Sequence, residues 1–304
     1  MHYTGGTPFL IAEEALVART KSRGIALIPL AVSLAAGPAL ADALAYVEAS
    51  SELDGGRPAS YAYNLVDGKE TTTWCSRKEP AGEELVFGFL DAVQVTEIGI
   101  VVGALKKDGL DKRRQRVKEL RLSDGKTERV IRFKDEPGLQ LVRLDPPPKG
   151  RRLIAEIKST YPADAEDAPV CVGELQLKRG SRSLTSSDAL GKKVRALNTP
   201  SRRLLHMWID EPSAAERTLV FALDGTFRYQ YEPLLDGKPV RLKGRWTAGH
   251  RSITLEVRGK KHTLKTQLSR IDDGEQQTEQ LTLVGDAPHP SLLVDFRPAP
   301  SRYE

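Results

Sequence analysis

Asp-Gly pairs at 124–125, 224–225, 236–237 and 273–274 separate short runs of β-favouring residues, and this punctuation restricts the fold more than any other feature. Asp-Gly readily adopts the positive backbone angles of a tight hairpin turn, so the runs on either side are placed antiparallel to one another. From Glu84 the runs ELVFGFL, VTEIGIVVG, VKELRLSDGKTERVIRF, LQLVRL, RLIAEIKSTY and VCVGELQLK read as strands. In VKELRL the alternation is imperfect, which predicts a face only partly buried. After residue 200, LLHMWID, RTLVFALDGTFRYQY, RLKGRWTAG, SITLEVRG, QLTLVG and SLLVDFRP alternate again, and so many sequential strands in about 100 residues predict a small up-and-down barrel. Between the two sets, Lys178 to Lys193 is rich in Ser, Gly and basic residues without a hydrophobic period, which predicts a linker.

The chain has 304 residues, 39% hydrophobic and 29% charged, the composition of a folded protein with room for two domains. Its one long apolar run, Ile25 to Ala43, follows Arg19, Lys21 and Arg23 and ends on Ala39-Leu40-Ala41. That is the three-part pattern of a secretory signal peptide, and Pro29, Gly37 and Pro38 interrupt it too often for a membrane span. A signal peptide at 1–41 is therefore expected, with an exported product, periplasmic or secreted, that keeps no transmembrane segment. Residues 1 to 18, with Glu13 and Glu14, make a long lead-in, and a start at Val17 would give a conventional signal. The only cysteines are Cys75 and Cys171, and in an oxidising compartment a disulfide between them is expected over two buried thiols.

Chemistry-bearing motifs are sparse. There is no Gly-x-Ser-x-Gly elbow, no phosphate-binding Gly-rich loop before a helix, no His-Glu-x-x-His and no Cys-x-x-Cys, which argues against an enzyme. His2, His206, His250, His262 and His289 never fall at ligand spacing, so each reads as a surface or barrel-rim residue. Glu83-Glu84 and Asp272-Asp273 adjoin turns or strand starts, where solvation accounts for them. The net charge of +5 is small and comes with no aromatic-and-basic recognition motif, so nucleic acid is not an expected partner. The basic run Lys106 to Arg116 reads either as a solvated loop or as a contact loop for an anionic ligand. In the second reading Lys106, Lys107, Arg113, Arg114 and Arg116 are the binding residues, with the arginines as bidentate donors.

YNLVDGKETTTWC, Tyr63 to Cys75, packs hydroxyls and carboxylates around an Asp-Gly turn, and these are hard oxygen ligands. Taken in order, EASSEL, this stretch, LVFGFLDAVQVTEIGIVVG, RVKELRLSDG and IKSTYPADAEDAPVCVGELQL resemble a discoidin-like (coagulation-factor type C) domain over residues 46–178. RVKEL and the late Ser-x-Tyr-Pro are similar to the branch named after the translocation domain of an NAD glycohydrolase. The resemblance implies a jelly-roll β-sandwich whose loops bind sugars, lipids or proteins, and it does not imply NAD hydrolysis. It also implies a structural calcium, with Asp67 and Glu174 as carboxylate ligands, Leu65, Glu70 and Thr72 supplying further oxygens, and Trp74 as a buried anchor. Where the branch carries Asn-Gly-Tyr-x-Lys this chain has Val-Gly-Ala-Leu-Lys at 102–106, so polar ligand contacts of relatives are changed.

Phe-Ala-Leu-Asp-Gly-Thr-Phe followed by Gly-Arg-Trp resembles small lipocalin-like barrels, with Trp246 and Phe227 packing the floor or lining a cavity. The expected order is thus a signal peptide (1–41), a discoidin-like jelly roll (42–178), a linker (179–199) and a lipocalin-like antiparallel β-barrel (200–304). The expected function is a non-catalytic binding protein for a glycan or anionic surface polymer. The alternative is an envelope interaction or scaffolding protein that recognises another protein.

Overall fold

The computed structural model describes residues 44–299 apart from 54–60, 78–80, 166, 187, 198, 211–214, 234–236 and 273–276. The expected signal peptide, Asp236 and the turn at Asp273-Gly274 lie outside the described residues.

Thirteen strands build the first half: β1 (Leu44–Ala49), β2 (Trp74–Cys75), β3 (Glu84–Gln94), β4 (Glu97–Ile100), β5 (Leu105–Lys106), β6 (Gly109–Leu110), β7 (Gln115–Ser123), β8 (Glu128–Arg132), β9 (Gln140–Arg143), β10 (Lys149–Tyr161), β11 (Val170–Val172), β12 (Leu175–Arg179) and β13 (Arg182–Ser183). One sheet has the order β1-β3-β10-β7-β11-β2 with β8 on β7, the other β13-β12-β4-β9. Leu85, Phe87, Leu120, Leu122 and Leu153 from the first and Ile98, Ile100, Leu175 and Leu177 from the second share one buried core. This is the discoidin-like β-sandwich, and the non-consecutive neighbours give it jelly-roll connectivity.

Along β7, Val117, Leu120 and Leu122 are all fully buried, so the expectation of a partly buried face does not hold there. The pairing with β10 shifts register between Ile157, Ser159 and Thr160, and this irregularity lets residues three apart both face inward. Asp124-Gly125 closes β7 on β8 with Gly125 at φ 86°, and Asp224-Gly225 closes the corresponding barrel hairpin with Gly225 at φ 81°. Cys75 and Cys171 face each other across β2 and β11 and form a disulfide.

The segment read as a linker is ordered. After β13 come α1 (Asp188–Ala196) and α2 (Thr199–Leu204). Leu190 and Val194, four apart, put one face of α1 against the core, a helical repeat too short to stand out among the surrounding polar residues. Thr185, fully buried, accepts from Leu177 N–H at 2.9 Å and donates to the Leu175 carbonyl at 3.2 Å. No helix among the described residues is long and apolar enough to cross a membrane.

The barrel is closed: β14 (Met207–Ile209), β15 (Ala215–Phe221), β16 (Thr226–Pro233), β17 (Val240–Ala248), β18 (Ser252–Val257), β19 (Lys260–Asp272), β20 (Gln277–Gly285) and β21 (Asp295–Pro298), with β21 returning to pair β14. Trp208, Phe221, Phe227, Tyr229, Leu255, Leu281 and Phe296 are buried within it. Trp246 is buried beside Phe221, its ring centroid 5.0 Å away, and its indole N–H donates to the Ala222 carbonyl at 3.0 Å.

The two halves form one compact unit. Leu223 N–H donates to the Ala45 carbonyl at 2.9 Å, Tyr63 O–H to the Leu205 carbonyl at 3.2 Å, and the Arg228 guanidinium to the Leu90 carbonyl and to Asp91.

Candidate functional site

Two groups of residues carry the features expected of a site. The first lies where the 3-10 turn Ala62–Val66 runs into Asp67-Gly68 and meets the start of β12. Asp67 is buried, and its Oδ1 accepts from Lys69 N–H at 3.0 Å and from the Thr72 hydroxyl at 2.8 Å. That is an Asx-type turn, formed because a short carboxylate can reach the backbone two residues on. The Glu70 carbonyl is close enough that a Cβ on Gly173 would approach it to 3.0 Å, so this loop lies directly against the residue before Glu174. The turn also has a roof: a Cβ on Gly191 of α1 would lie 2.1 Å from the Asp67 carbonyl oxygen, so only glycine allows the helix this close.

Glu174 is 1% exposed, with the Ser186 hydroxyl and Gly68 N–H near its carboxylate but no well-formed hydrogen bond to either oxygen among the described residues. Burial pushes its carboxyl up to about 7; the nearby Ser186 hydroxyl opposes the shift and the charge of Asp67 adds to it. A carboxylate buried this deeply and only weakly hydrogen-bonded is costly unless it is neutralised or finds a cation (about 1–3 kcal/mol per unmet group, more when charged). Asp67, Glu174, the Thr72 hydroxyl and the Glu70 carbonyl are hard oxygens, which suits a calcium ion by donor chemistry. Among the described residues, no three His, Cys, Asp or Glu side chains form a cluster able to hold a metal, so such an ion would depend on carbonyl and hydroxyl oxygens beside the two carboxylates. Leu65 is fully buried and offers only its main chain, whereas Glu70 is exposed and its charge also reaches Glu174. Trp74 is fully buried, its indole N–H donating to the Ser51 carbonyl at 2.9 Å.

The second group is the basic run. The structure divides its five candidate cations. Arg116 is only 3% exposed; its guanidinium donates to both oxygens of Asp135, at 2.8 and 3.0 Å, and to the Arg114 carbonyl. Its role here is to tie β7 to the connection after β8. Lys106 and Arg113 both pair with Asp111, at 2.7 and 3.1 Å, and the Arg113 guanidinium holds the Asp111 carboxyl well below the usual range. Lys107 is exposed and Arg114 half-buried, and among the described residues neither makes an ion pair. Lys112 pairs with Asp135 at 2.6 Å, its carbonyl accepts from Asp164 N–H at 3.0 Å, and the Gln115 amide donates to the Ala168 carbonyl at 2.9 Å. Lys112 thereby ties the 104–114 connection to Asp135 and Asp164, and Gln115 ties the start of β7 to Ala168.

Sequence reasoning missed two polar residues. Glu83 is buried and accepts from the hydroxyls of Ser50 and Ser51 instead of facing solvent. His206 is half-buried between the halves and pairs with Glu48. Neither partner is near in sequence, and no spacing could have pointed to them.

Residues 40–177 match the family model described as the NAD glycohydrolase translocation F5/8 type C domain. No curated protein matches the chain. Among solved structures, the family 32 carbohydrate-binding module of Clostridium perfringens NanJ, in complex with galactose, is 14% identical; the match covers 42% of this chain and 89% of that one, with TM-score 0.33. A second family 32 module from the same organism, in complex with GalNAc-β-1,3-galactose, is 15% identical over 42% of this chain and 91% of that one, TM-score 0.33. An F5/8 type C domain from Bacteroides fragilis is 17% identical over 43% and 88%, TM-score 0.34.

Proposed function

Taking residues 40–177 as the F5/8 type C domain that they match, we propose that this is an exported, non-catalytic binding protein. Its discoidin-like half attaches to a carbohydrate or comparable polymer at a cell surface. The observation that carries this reading is the family match over a sandwich in which Lys112 ties Asp135 and Asp164 to the 104–114 connection, the kind of pre-organisation that lowers the ordering cost of binding. Lys107 and Arg114, on the 104–114 connection and without an ion pair among the described residues, are the cations through which an anionic group of that polymer would be held. Export is supported by the signal pattern before Ala43 and by the disulfide.

Calcium completes the proposal. Asp67 and Glu174, with the Thr72 hydroxyl and main-chain oxygens of Leu65 and Glu70, hold the ion, which neutralises the buried Glu174 and braces the 66–73 loop beside Cys75–Cys171. The role is structural, since no reaction chemistry surrounds it.

The test is binding of the full exported chain to an array of glycans and cell-wall polymers, with calcium and then with chelator. Specific, competable binding is expected, weakened by Lys107→Glu with Arg114→Glu. Silence across the array overturns the carbohydrate reading and leaves recognition of another envelope protein as the function.

A further inference from the structure

A cleft of about 560 Å³ lies between the two halves of the molecule, away from the loop surface described above. One wall is the outer face of the large sheet. Strand pairing sets Tyr46, Gly88 and Arg152 in one row across β1, β3 and β10, Val86, Ile154 and Ser123 in the next, and Glu84, Glu156 and Arg121 in the third. The facing wall is the outside of the barrel, where Met207, Val220 and Arg228 form a row across β14, β15 and β16, followed by Thr218 and Gln230. Arg228, reaching across to Leu90 and Asp91, closes one side.

Phe89, Leu90, Ile154, Met207 and Val220 line the interior, so two apolar faces meet there without filling the space between them. The polar groups are unequally satisfied. Asp124 accepts three main-chain N–H groups, from Lys126, Thr127 and Lys149, while Glu128 and Glu156 are both paired to Arg121. Of the four lining acids, Asp124, Glu128 and Glu156 are thus engaged and Glu84 is not without a partner, whereas Lys126, Lys149 and Arg151 at the rim make no ion pair among the described residues. Inside, the Tyr46 hydroxyl is buried beside the Arg152 guanidinium, its neighbour in the row, and Arg121 Nε is buried and unmet among the described residues. A cavity of this size at a domain boundary, with an apolar interior and a few convergent donors, has the form of a small-molecule site.

We propose that this cleft binds a small amphipathic anion: an alkyl or similarly apolar body lies between Phe89, Ile154, Met207 and Val220, and a carboxylate or phosphate monoester accepts from the basic rim of Lys126, Lys149 and Arg151. The ligand bridges the jelly roll and the barrel, so its binding holds the two halves in one arrangement.

The experiment titrates the full chain with dodecanoate, dodecyl phosphate and uncharged dodecanol below micelle-forming concentrations, followed by calorimetry. Saturable binding of at least one anion is expected, about tenfold or more tighter than dodecanol. The two anionic arms tell a carboxylate from a phosphate ligand. Val220→Trp, which fills the space from the barrel side, abolishes binding with the thermal transition retained. Lys126→Glu with Lys149→Glu, on the exposed rim, weakens the anions about tenfold and leaves dodecanol unchanged; this variant decides the matter if Val220→Trp does not fold. No binding of either anion, equal affinity for dodecanol, or undiminished affinity in the rim variant overturns the proposal.

Discussion

His206 Nδ1 lies 2.8 Å from Glu48 Oε1, joining the approach to the barrel's first strand to the first strand of the sandwich. Burial of the ring works against its charge, but the hydrogen bond and charge of Glu48 outweigh it, with Glu279 and Glu52 adding, and hold His206 above the ordinary histidine value of 6.5. A group raised on folding contributes stability that is complete below its unfolded value and is lost as pH rises through the folded one. Stability should therefore fall as pH climbs above about 6.5. Chemical denaturation at closely spaced pH values checks this, and His206→Gln should flatten the dependence in that window.

Glu174 predicts a second pH effect in metal-free protein. Its carboxyl, raised to about 7, is favoured in the folded state only while protonated, so stability decreases as pH rises from 4.5 towards 7. Glu174→Gln should remove this loss and stabilise the chelated protein at pH 8, by at most about 3 kcal/mol. In the parent chain, saturating calcium should raise the melting temperature, and in the Gln variant it should not. A parent chain indifferent to both calcium and chelator would reject the ion.

The Tyr46 ring covers Gly88 so closely that a Cβ there would lie 2.1 Å from Tyr46 Cζ. Gly88→Ala should destabilise the protein by about 2 kcal/mol through forced displacement of the ring. Adding Tyr46→Ala should relieve much of that cost, a coupling that a double-mutant cycle measures directly. Additive losses would mean that the ring moves aside freely.

Within the basic run, Asp135→Ala should leave the Arg116 guanidinium buried without its carboxylate and cost about 3 kcal/mol. Lys107→Ala, at an exposed position, should change stability by less than about 0.5 kcal/mol. Urea denaturation of the two variants side by side separates the structural cation from the accessible one.

The strands and the hairpins at Asp124-Gly125 and Asp224-Gly225 were legible because alternation and Asp-Gly turns are local signals. What the local signal missed depends on partners far along the chain. Val117 looked out of register with Leu120 until the shift in β10 brought both inward. Glu83 looked solvated, but its serine partners lie more than thirty residues earlier. Asp67 and Glu174 came together only through family resemblance, since no spacing rule links residues so far apart. The helices at Asp188–Ala196 and Thr199–Leu204 went unread because Leu190 and Val194 provide a single apolar step among charged neighbours, with Gly191 weakening helix propensity between them.

Gly191 sets a limit on dissection. Because α1 rests on the Asp67 carbonyl, and Thr185 completes the hydrogen bonding of β12, the sandwich borrows its finish from residues beyond Lys178. A fragment ending at Lys178 would leave the 66–73 turn uncovered and the ends of β12 open to water. The sandwich is thus not a transplantable cassette: a version meant to stand alone must carry α1 with it.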